Sequence, residues 1–300
     1  MIENIGNLKL NLNYYSGTDL YTDGEIEDEL LKIVKENDNY EKIIANDNRW
    51  PILYHLSHFR GNILEWYPFN NEANLLEIGA GCGAITGTLA KKVREVTCVE
   101  LSKKRSLINA HRNKEFENIE ILVGDFNKIQ FDKKFDYITL IGVLEYAPGF
   151  SNSNEPFHEL LKYVKSLLSK NGKLFIAIEN RFGLKYWAGA REDHTGNYFE
   201  SLEGYFGNER VKTFSKKELT KILSEVGFDE IGNYYPIPDY KLPFQIFSDD
   251  NLPKVGDLRN LIHNYDQPRS GLFDEQKVSD ALIKNDEFSF FANSFLFICK

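Results

Sequence analysis

The sequence predicts an α/β fold, a mostly parallel sheet covered by helices on both faces, and three features carry the prediction. Between residues 73 and 180, short apolar runs alternate with amphipathic stretches, in the order ANLLEIG, ITGTLAKKV, EVTCVEL, SKKRSLINAHRN, IEILVGD, FDYITLIG, PFHELLKYVKSLLSK and GKLFIAIEN. That cadence is how successive strand–helix units read in a sequence. Runs such as LLEI and LFIAI lack polar alternation, as strands buried on both faces do. A glycine-rich turn, GAGCG, stands directly after the first run, where the chain leaves a strand and enters a helix.

With 300 residues, 42% of them hydrophobic, the chain can bury one large core, and no Gly/Ser-rich or Pro-rich linker divides it. A formal net charge of -9 disfavours generic binding to phosphodiester backbones, so no nucleic-acid partner is expected. Cys82, Cys98 and Cys299 are widely spaced and form no CxxC pair, so they read as reduced thiols and no metal site is expected. No window approaches the roughly 18 apolar residues of a membrane span. The start MIENIGNLKL lacks a signal-like pattern, and the expectation is a cytoplasmic protein.

Residues 1–23 are polar and Tyr-rich without a clear period and read as an arm. A helix is predicted from an Asp23 N-cap, with Ile26, Leu30, Leu31 and Val34 on one face. A second runs from Pro51 to Trp66, with Pro in its first turn and Leu53, Leu56, Ile63 and Leu64 inward. Residues 1–70 are thus an arm and helices covering the active site, and 71–300 the core. After Asn180 the cadence breaks into a Gly- and aromatic-rich insertion at about 181–213, a substrate loop in character. Ser215 then caps KKELTKILSEVGF, Gly227 stops it, and DEIGNYYPI makes a strand. A second insertion, about 238–287, contains PDYKLPFQIF and two short amphipathic helices, and FSFFANSFLFICK reads as a final strand.

In LLEIGAGCGAITGTLA, the residues Glu77, Gly79, Ala80, Gly81 and Gly83 make a tight turn whose backbone a ligand can approach closely. Glu100 ends the next strand, followed by Leu101, roughly 20 residues on, where an acid reaches ribose hydroxyls. Asp125 ends the third strand in ILVGDF, placed to accept from an adenine amino group, with Phe126 flanking the ring. Each acid alone reads as a solvated strand end; in series after the glycine turn they read as a nucleoside site.

Residues 73–146 resemble the cofactor half of class I, Rossmann-like S-adenosylmethionine-dependent methyltransferases. The resemblance rests on the acidic-x-Gly-x-Gly-x-Gly loop from Glu77 to Gly83, the acid Glu100 and the pair Asp125–Phe126. It implies S-adenosylmethionine as cofactor and S-adenosylhomocysteine as product, with Ile141, Gly142 and Glu145 beside the methionine end. It also implies a seven-stranded sheet whose last strand is antiparallel. IENRFGLKYWAGAREDHTG with PDYKLP is similar to bacterial methyltransferases that accompany surface-glycan or secondary-metabolite gene sets. The rival is a nicotinamide dehydrogenase, since Gly79, Gly81 and Ala84 also satisfy G-x-G-x-x-G/A. Glu77, Gly83 and Asp125 favour methyl transfer over hydride transfer. A third alternative is a catalytically silent binding module.

The acceptor must be read from the additions. No NPPY-like tetrad follows the fourth strand, where the chain reads Ile141-Gly142-Val143-Leu144, which disfavours adenine or glutamine amino methylation. The 181–213 insertion gathers Arg181, Lys185, Tyr186, Arg191, Glu192, Asp193 and His194 after Glu179 and Asn180, although a charged loop is ordinarily just solvated. His194 is the candidate base, with Glu192 or Asp193 orienting it. Arg181 and Arg191 are candidate clamps for a carboxylate or phosphate. Tyr14, Tyr15 and Tyr21 are candidate lid residues, Tyr15 nearest to a catalytic role, and Tyr234, Tyr235 and Tyr240 with Pro236 and Pro238 suggest an aromatic wall. The reading is O-methylation of a glycan or natural-product hydroxyl, or of a carboxylate such as a peptide C-terminus. Purified protein is expected to bind S-adenosylhomocysteine and to ignore NAD(P)H in parallel titrations; the reverse pattern would make it a dehydrogenase.

Overall fold

The computed structural model describes residues 1–300 except 20, 21, 23, 152, 208, 209 and 260–268. The chain forms two compact units, Met1–Leu140 with Leu167–Lys173, and Ile141–Ser166 with Leu174–Lys300.

In the first unit β1 (Ile2–Ile5) and β2 (Leu8–Asn11) form an antiparallel hairpin. It is followed by β3 (Asn74–Ile78), β4 (Glu95–Glu100), β5 (Ile119–Val123) and β6 (Phe135–Ile141). β5, β4, β3 and β6 lie side by side in that order, all parallel. Their apolar residues are buried from both faces, as the missing alternation predicts. The hairpin is a departure from the expected arm. Leu8 and Leu10 are fully buried, and β2 runs parallel to β5 with Asn11 Nδ2 donating to Glu120 Oε1 at 3.1 Å. Two inward leucines are too few to show a period, whereas an open sheet edge at β5 supplies the pairing partner.

The helix Ile26–Glu36 buries Leu30 and Val34 against Ile52, Leu56, Cys82 and Ile108. Its described N-cap is Glu25, and the expected cap Asp23 lies outside the described residues, as does Tyr21. The expected helix from Pro51 to Trp66 is broken into Trp50–Leu56, a 3-10 turn His58–Gly61 and Asn62–Glu65. Ser57 breaks it by taking an extended conformation and accepting a hydrogen bond from Phe59 N, a local alternative to the helical ladder. Consequently Ile52, not Leu53, faces the core.

The second unit is antiparallel. From Leu174 onward β7 (Leu168–Glu179) pairs with β10 (Ser294–Cys299), which pairs with β8 (Ile231–Ile237), and β9 (Gln245–Ser248) forms a hairpin with β8. The last strand is antiparallel, as expected. Among the described residues there are ten strands, the seven expected and the additions β1, β2 and β9. The helix Lys216–Val226 has the complete Ser215/Glu218 capping box and ends at Gly227. In the second insertion the described residues hold β9 and one of the two expected helices, Glu275–Lys284, while residues 260–268 lie outside the described residues. Phe288–Phe291 makes a single helical turn, so the last strand begins only at Ser294. No helix among the described residues is long and apolar enough to cross a membrane.

Replacing a fully buried leucine by alanine costs about 2–5 kcal/mol. Leu10→Ala should therefore lower the unfolding free energy measured by urea titration by that amount; an unchanged value would show that the hairpin is no part of the first unit's core.

Candidate active site

The turn after β3 is held by a buried network centred on Glu77. Its Oε2 accepts from Thr86 Oγ1 at 2.6 Å and from Cys98 Sγ at 3.4 Å, while Asn109 Nδ2 donates to Thr86 Oγ1 at 3.1 Å. Asn113 Nδ2 then bonds Asn109 Oδ1 at 2.8 Å and Gly83 O at 3.3 Å. Gly83 is obligatory on two counts. It sits at φ +75°, and a Cβ there would lie 2.3 Å from Asn109 Oδ1. Thr86, Asn109 and Asn113 escaped the sequence reading because nothing in their spacing marks them as partners of Glu77.

Four amides of the turn are already engaged. Those of Gly79 and Ala80 donate to Val99 O at 2.9 and 3.1 Å, that of Gly83 to Ala80 O at 3.0 Å, and that of Gly81 to Glu100 Oε2 at 2.8 Å. A dinucleotide site needs such amides for a pyrophosphate; this turn offers an uncharged bed instead. Space above Gly81 is open, with nothing within 4 Å of where a Cβ would stand. Glu100 Oε1 accepts from Ser102 N at 2.8 Å, so each of its oxygens keeps lone-pair capacity for a ribose hydroxyl. Asp125 caps the turn Phe126–Lys128 through Asn127 N at 3.0 Å and remains partly exposed. Phe126 is buried beside Phe131, their ring centroids 6.1 Å apart, and Leu101 is half-buried. These features fit a nucleoside without phosphates.

The arm is docked on this unit. A Cβ at Gly124 would meet Tyr14 O at 2.5 Å. Asp19 caps the helix Lys103–Arg112 through the amides of Lys103 at 2.7 Å and Lys104 at 3.2 Å. Desolvation and the Asp19 carboxylate push the Tyr15 phenol above its usual pKa, which suits a hydrogen-bond donor and not a base. Removing residues 1–22 would delete β1 and β2 as well as the tyrosines, so only point changes at Tyr14 or Tyr15 separate covering from folding.

In the second unit the 181–213 insertion folds around a buried charge cluster. Glu192, fully buried, accepts from the amides of His194 and Thr195 (both 2.7 Å), from Tyr205 Oη at 2.9 Å and from His194 Nδ1 at 2.8 Å. His194 Nε2 thereby faces two further carboxylates, Glu145 Oε1 at 3.5 Å and Glu179 Oε2 at 3.9 Å. Asp193 pairs with Lys185 at 2.7 Å and with Lys241, and Lys241 also reaches Glu179 Oε1 at 3.0 Å. Burial alone would lower the His194 pKa, but Glu145, Glu192 and Glu179 outweigh it and hold the imidazole well above its usual range. The candidate base His194 is thus enclosed by three carboxylates, with its Nδ1 committed to Glu192. Glu145 Oε2 and Glu179 Oε2 are buried without a hydrogen-bond partner.

Arg181 and Arg191, the candidate clamps, are engaged within the chain. Arg181 donates to Ser201 O, Leu202 O and Glu218 Oε1, tying the turn Glu200–Glu203 to the helix Lys216–Val226. Arg191 lies 4.2 Å over the Tyr198 ring and donates to Gly196 O. The aromatic wall dissolves too, since Tyr235 and Tyr240 are buried and Tyr235 Oη bonds Lys216 and Asp249. Tyr240 Oη would stand 2.8 Å from a Cβ at Gly142, which explains the glycine there. Lys241 and Tyr205 were missed because their partners lie 48 and 13 residues away.

The profile of a methyltransferase domain family matches residues 52–231, more than half of the chain. The chain belongs to this methyltransferase family. The methyltransferase is 33% identical over 119 residues to a ubiquinone biosynthesis O-methyltransferase of Glaesserella parasuis, covering 37% of this chain and 48% of that one. It is 28% identical over 228 residues to a ribosomal RNA small subunit methyltransferase A of Borreliella afzelii, covering 71% of each. A SAM-dependent methyltransferase of Archaeoglobus fulgidus shares the fold at a TM-score of 0.50 and 16% identity, over 82% of this chain and 96% of that one. The chain spans less than half the length of several curated relatives that it matches. The fold is the Rossmann-like methyltransferase fold and the methyl donor is S-adenosylmethionine. The hydride-transfer alternative is set aside.

Burial raises the Glu77 carboxyl from 4.5 to about 7, against the hydrogen bonds from Thr86 and Cys98. Because the folded value lies above the unfolded one, this group's stability contribution is full below about pH 4.5 and is lost as pH rises through about 7, a change of roughly 3 kcal/mol. Glu77→Gln should flatten the dependence of the urea midpoint on pH across that window; an unaltered slope would show that another group carries it.

Proposed function

We propose that the enzyme methylates a hydroxyl oxygen of a glycan or natural product, with Glu145 accepting the hydroxyl proton. One observation carries the reading: Glu145 Oε2 is fully buried with no hydrogen-bond partner, in a cluster where carboxylates outnumber ammonium groups. A buried acceptor left unpaired costs about 1–3 kcal/mol, so such a group asks for a donor. A hydroxyl supplies one. A carboxylate acceptor brings only lone pairs and further negative charge into the same place.

When bound, the cofactor supplies an electrophilic methyl group on a sulfonium. Glu100, with Leu101, holds the ribose, Asp125 and Phe126 the adenine, and Gly79, Ala80, Gly81 and Gly83 the bed beneath. Ile141 and Gly142 follow from the family resemblance as neighbours of the methionine end. The methyl group would pass from the sulfonium, which would keep the bonding pair, to the acceptor oxygen, and Glu145 Oε2 would take the hydroxyl proton. Glu192 and His194 are positioning residues that orient Glu145, and Tyr15 belongs to the covering arm. Since alignment accounts for much of such catalysis, the rigidity of the cluster supports this reading.

An RNA acceptor, as the name of the Borreliella afzelii relative states for that protein, is less well supported. The net charge of -9 and the absence of an NPPY-like tetrad after Leu140 both weigh against it. The test is incubation with isotopically labelled S-adenosylmethionine and fractionated lysate, followed by mild alkali. An alkali-stable methyl ether is expected. Release of labelled methanol would reveal a methyl ester, and label on an RNA base or on an amine would equally overturn the hydroxyl reading.

A further inference from the structure

We infer that Glu145, Glu179 and His194 form a binding site for one divalent cation, of the Mn²⁺ or Zn²⁺ kind, through which the acceptor hydroxyl is held. The inference rests on the proposed oxygen acceptor for its purpose, but not for its geometry. The three donor atoms come from the segment after β6, the end of β7 and the 181–213 insertion, and all lie within 4.8 Å of one another.

The spacing is that of ligands around a common ion. His194 Nε2 stands 3.5 Å from Glu145 Oε1 and 3.9 Å from Glu179 Oε2. Both distances exceed the 2.7–3.2 Å of an N–H···O hydrogen bond. Two atoms each bound at about 2.0–2.2 Å to one tetrahedral ion stand about 3.4 Å apart. The orientation of the histidine agrees. Its Nδ1 is engaged by Glu192 at 2.8 Å, which turns Nε2 toward the two carboxylates. A carboxylate behind a ligating histidine is the usual outer partner of a metal-bound imidazole. Glu192 is itself fixed by Tyr205 and the amides of His194 and Thr195, so the ring is held before any ion arrives.

Two independent observations point to a ligand. Glu179 Oε2 and Glu145 Oε2 are buried with no hydrogen-bond partner. Among the described residues the carboxylates of Glu145, Glu179, Glu192 and Asp193 meet two ammonium groups, Lys185 and Lys241, so carboxylates outnumber ammonium groups around the imidazole. The donor set, two carboxylates and one imidazole, suits Mn²⁺ or Zn²⁺ better than Ca²⁺, which takes oxygen alone. The atoms divide without conflict: Glu145 Oε1, Glu179 Oε2 and His194 Nε2 take the ion, Glu179 Oε1 keeps Lys241, and Glu145 Oε2 remains for the hydroxyl proton.

The experiment is titration of the EDTA-treated full chain with MnCl₂, following free Mn²⁺ by its electron paramagnetic resonance signal, with no methyl acceptor present. One saturable site per chain is expected, with spin-echo modulation from an imidazole nitrogen on the bound ion. Glu179→Gln and His194→Gln should each weaken it tenfold or more, and Glu192→Gln should weaken it 10–100-fold through the histidine. Thermal unfolding and S-adenosylhomocysteine binding report whether each variant is folded; should a variant fail to fold, the nitrogen modulation of the unaltered chain decides. No saturable Mn²⁺ binding, no nitrogen modulation, or equal affinity in folded Glu179→Gln would overturn the site. An alkali-stable methyl product without Mn²⁺ binding removes the ion and keeps the hydroxyl reading. Mn²⁺ binding beside a methyl ester does the reverse.

Discussion

Glu77 is an ionisable group with no route to water, and the geometry of the cofactor turn follows from how it is answered. Its carboxyl draws in Thr86 and Cys98, Thr86 draws in Asn109, and Asn109 with Asn113 closes on Gly83. The chain thereby joins β3, β4 and the helices after each of them through a handful of polar atoms. Because a buried polar group without a partner costs about 1–3 kcal/mol, every link constrains the next. Gly83 is the product of this arithmetic, the residue whose missing side chain lets Asn109 approach.

The same rule runs to a different end in the second unit. Glu192 receives four hydrogen bonds and Asp193 two lysines, so both are structurally complete. Glu145 and Glu179 are left with unpaired oxygens. Native interiors rarely leave such atoms unpaired, and that is the ground for the role proposed for Glu145 and Glu179. Completed carboxylates build the frame, and the proposal rests on the incomplete ones. This division separates the two roles more sharply than residue type does, since all four are acids on neighbouring segments.

The fold and its glycine turn were legible because their signals are local. A buried strand, a glycine turn and an acid at the next strand end each occupy about ten residues, and backbone sterics tie them to one geometry. The hairpin β1–β2 was illegible for the opposite reason: Leu8 and Leu10 acquire meaning only beside β5, more than a hundred residues later. Ser57 shows the same limit on a smaller scale, since a helix-compatible pattern continued through a residue whose side chain preferred its own turn. Arg181, an obvious anion clamp in the sequence, is occupied by two backbone carbonyls and Glu218.

His194 brings both sides together. The sequence by itself determined that a titratable imidazole follows two acids in an insertion after the fifth core strand, and that Glu77, Glu100 and Asp125 stand at or just after the ends of successive core strands. Only the tertiary structure decided what the imidazole is. Its character depends on Glu145, Glu179 and Glu192, and two of these are brought to it from other segments by strand order. Periodicity and turn sterics act over a few residues and can be read along the chain, whereas the protonation and ligand capacity of a buried group are set by every charge within a few ångströms, whatever its place in the sequence.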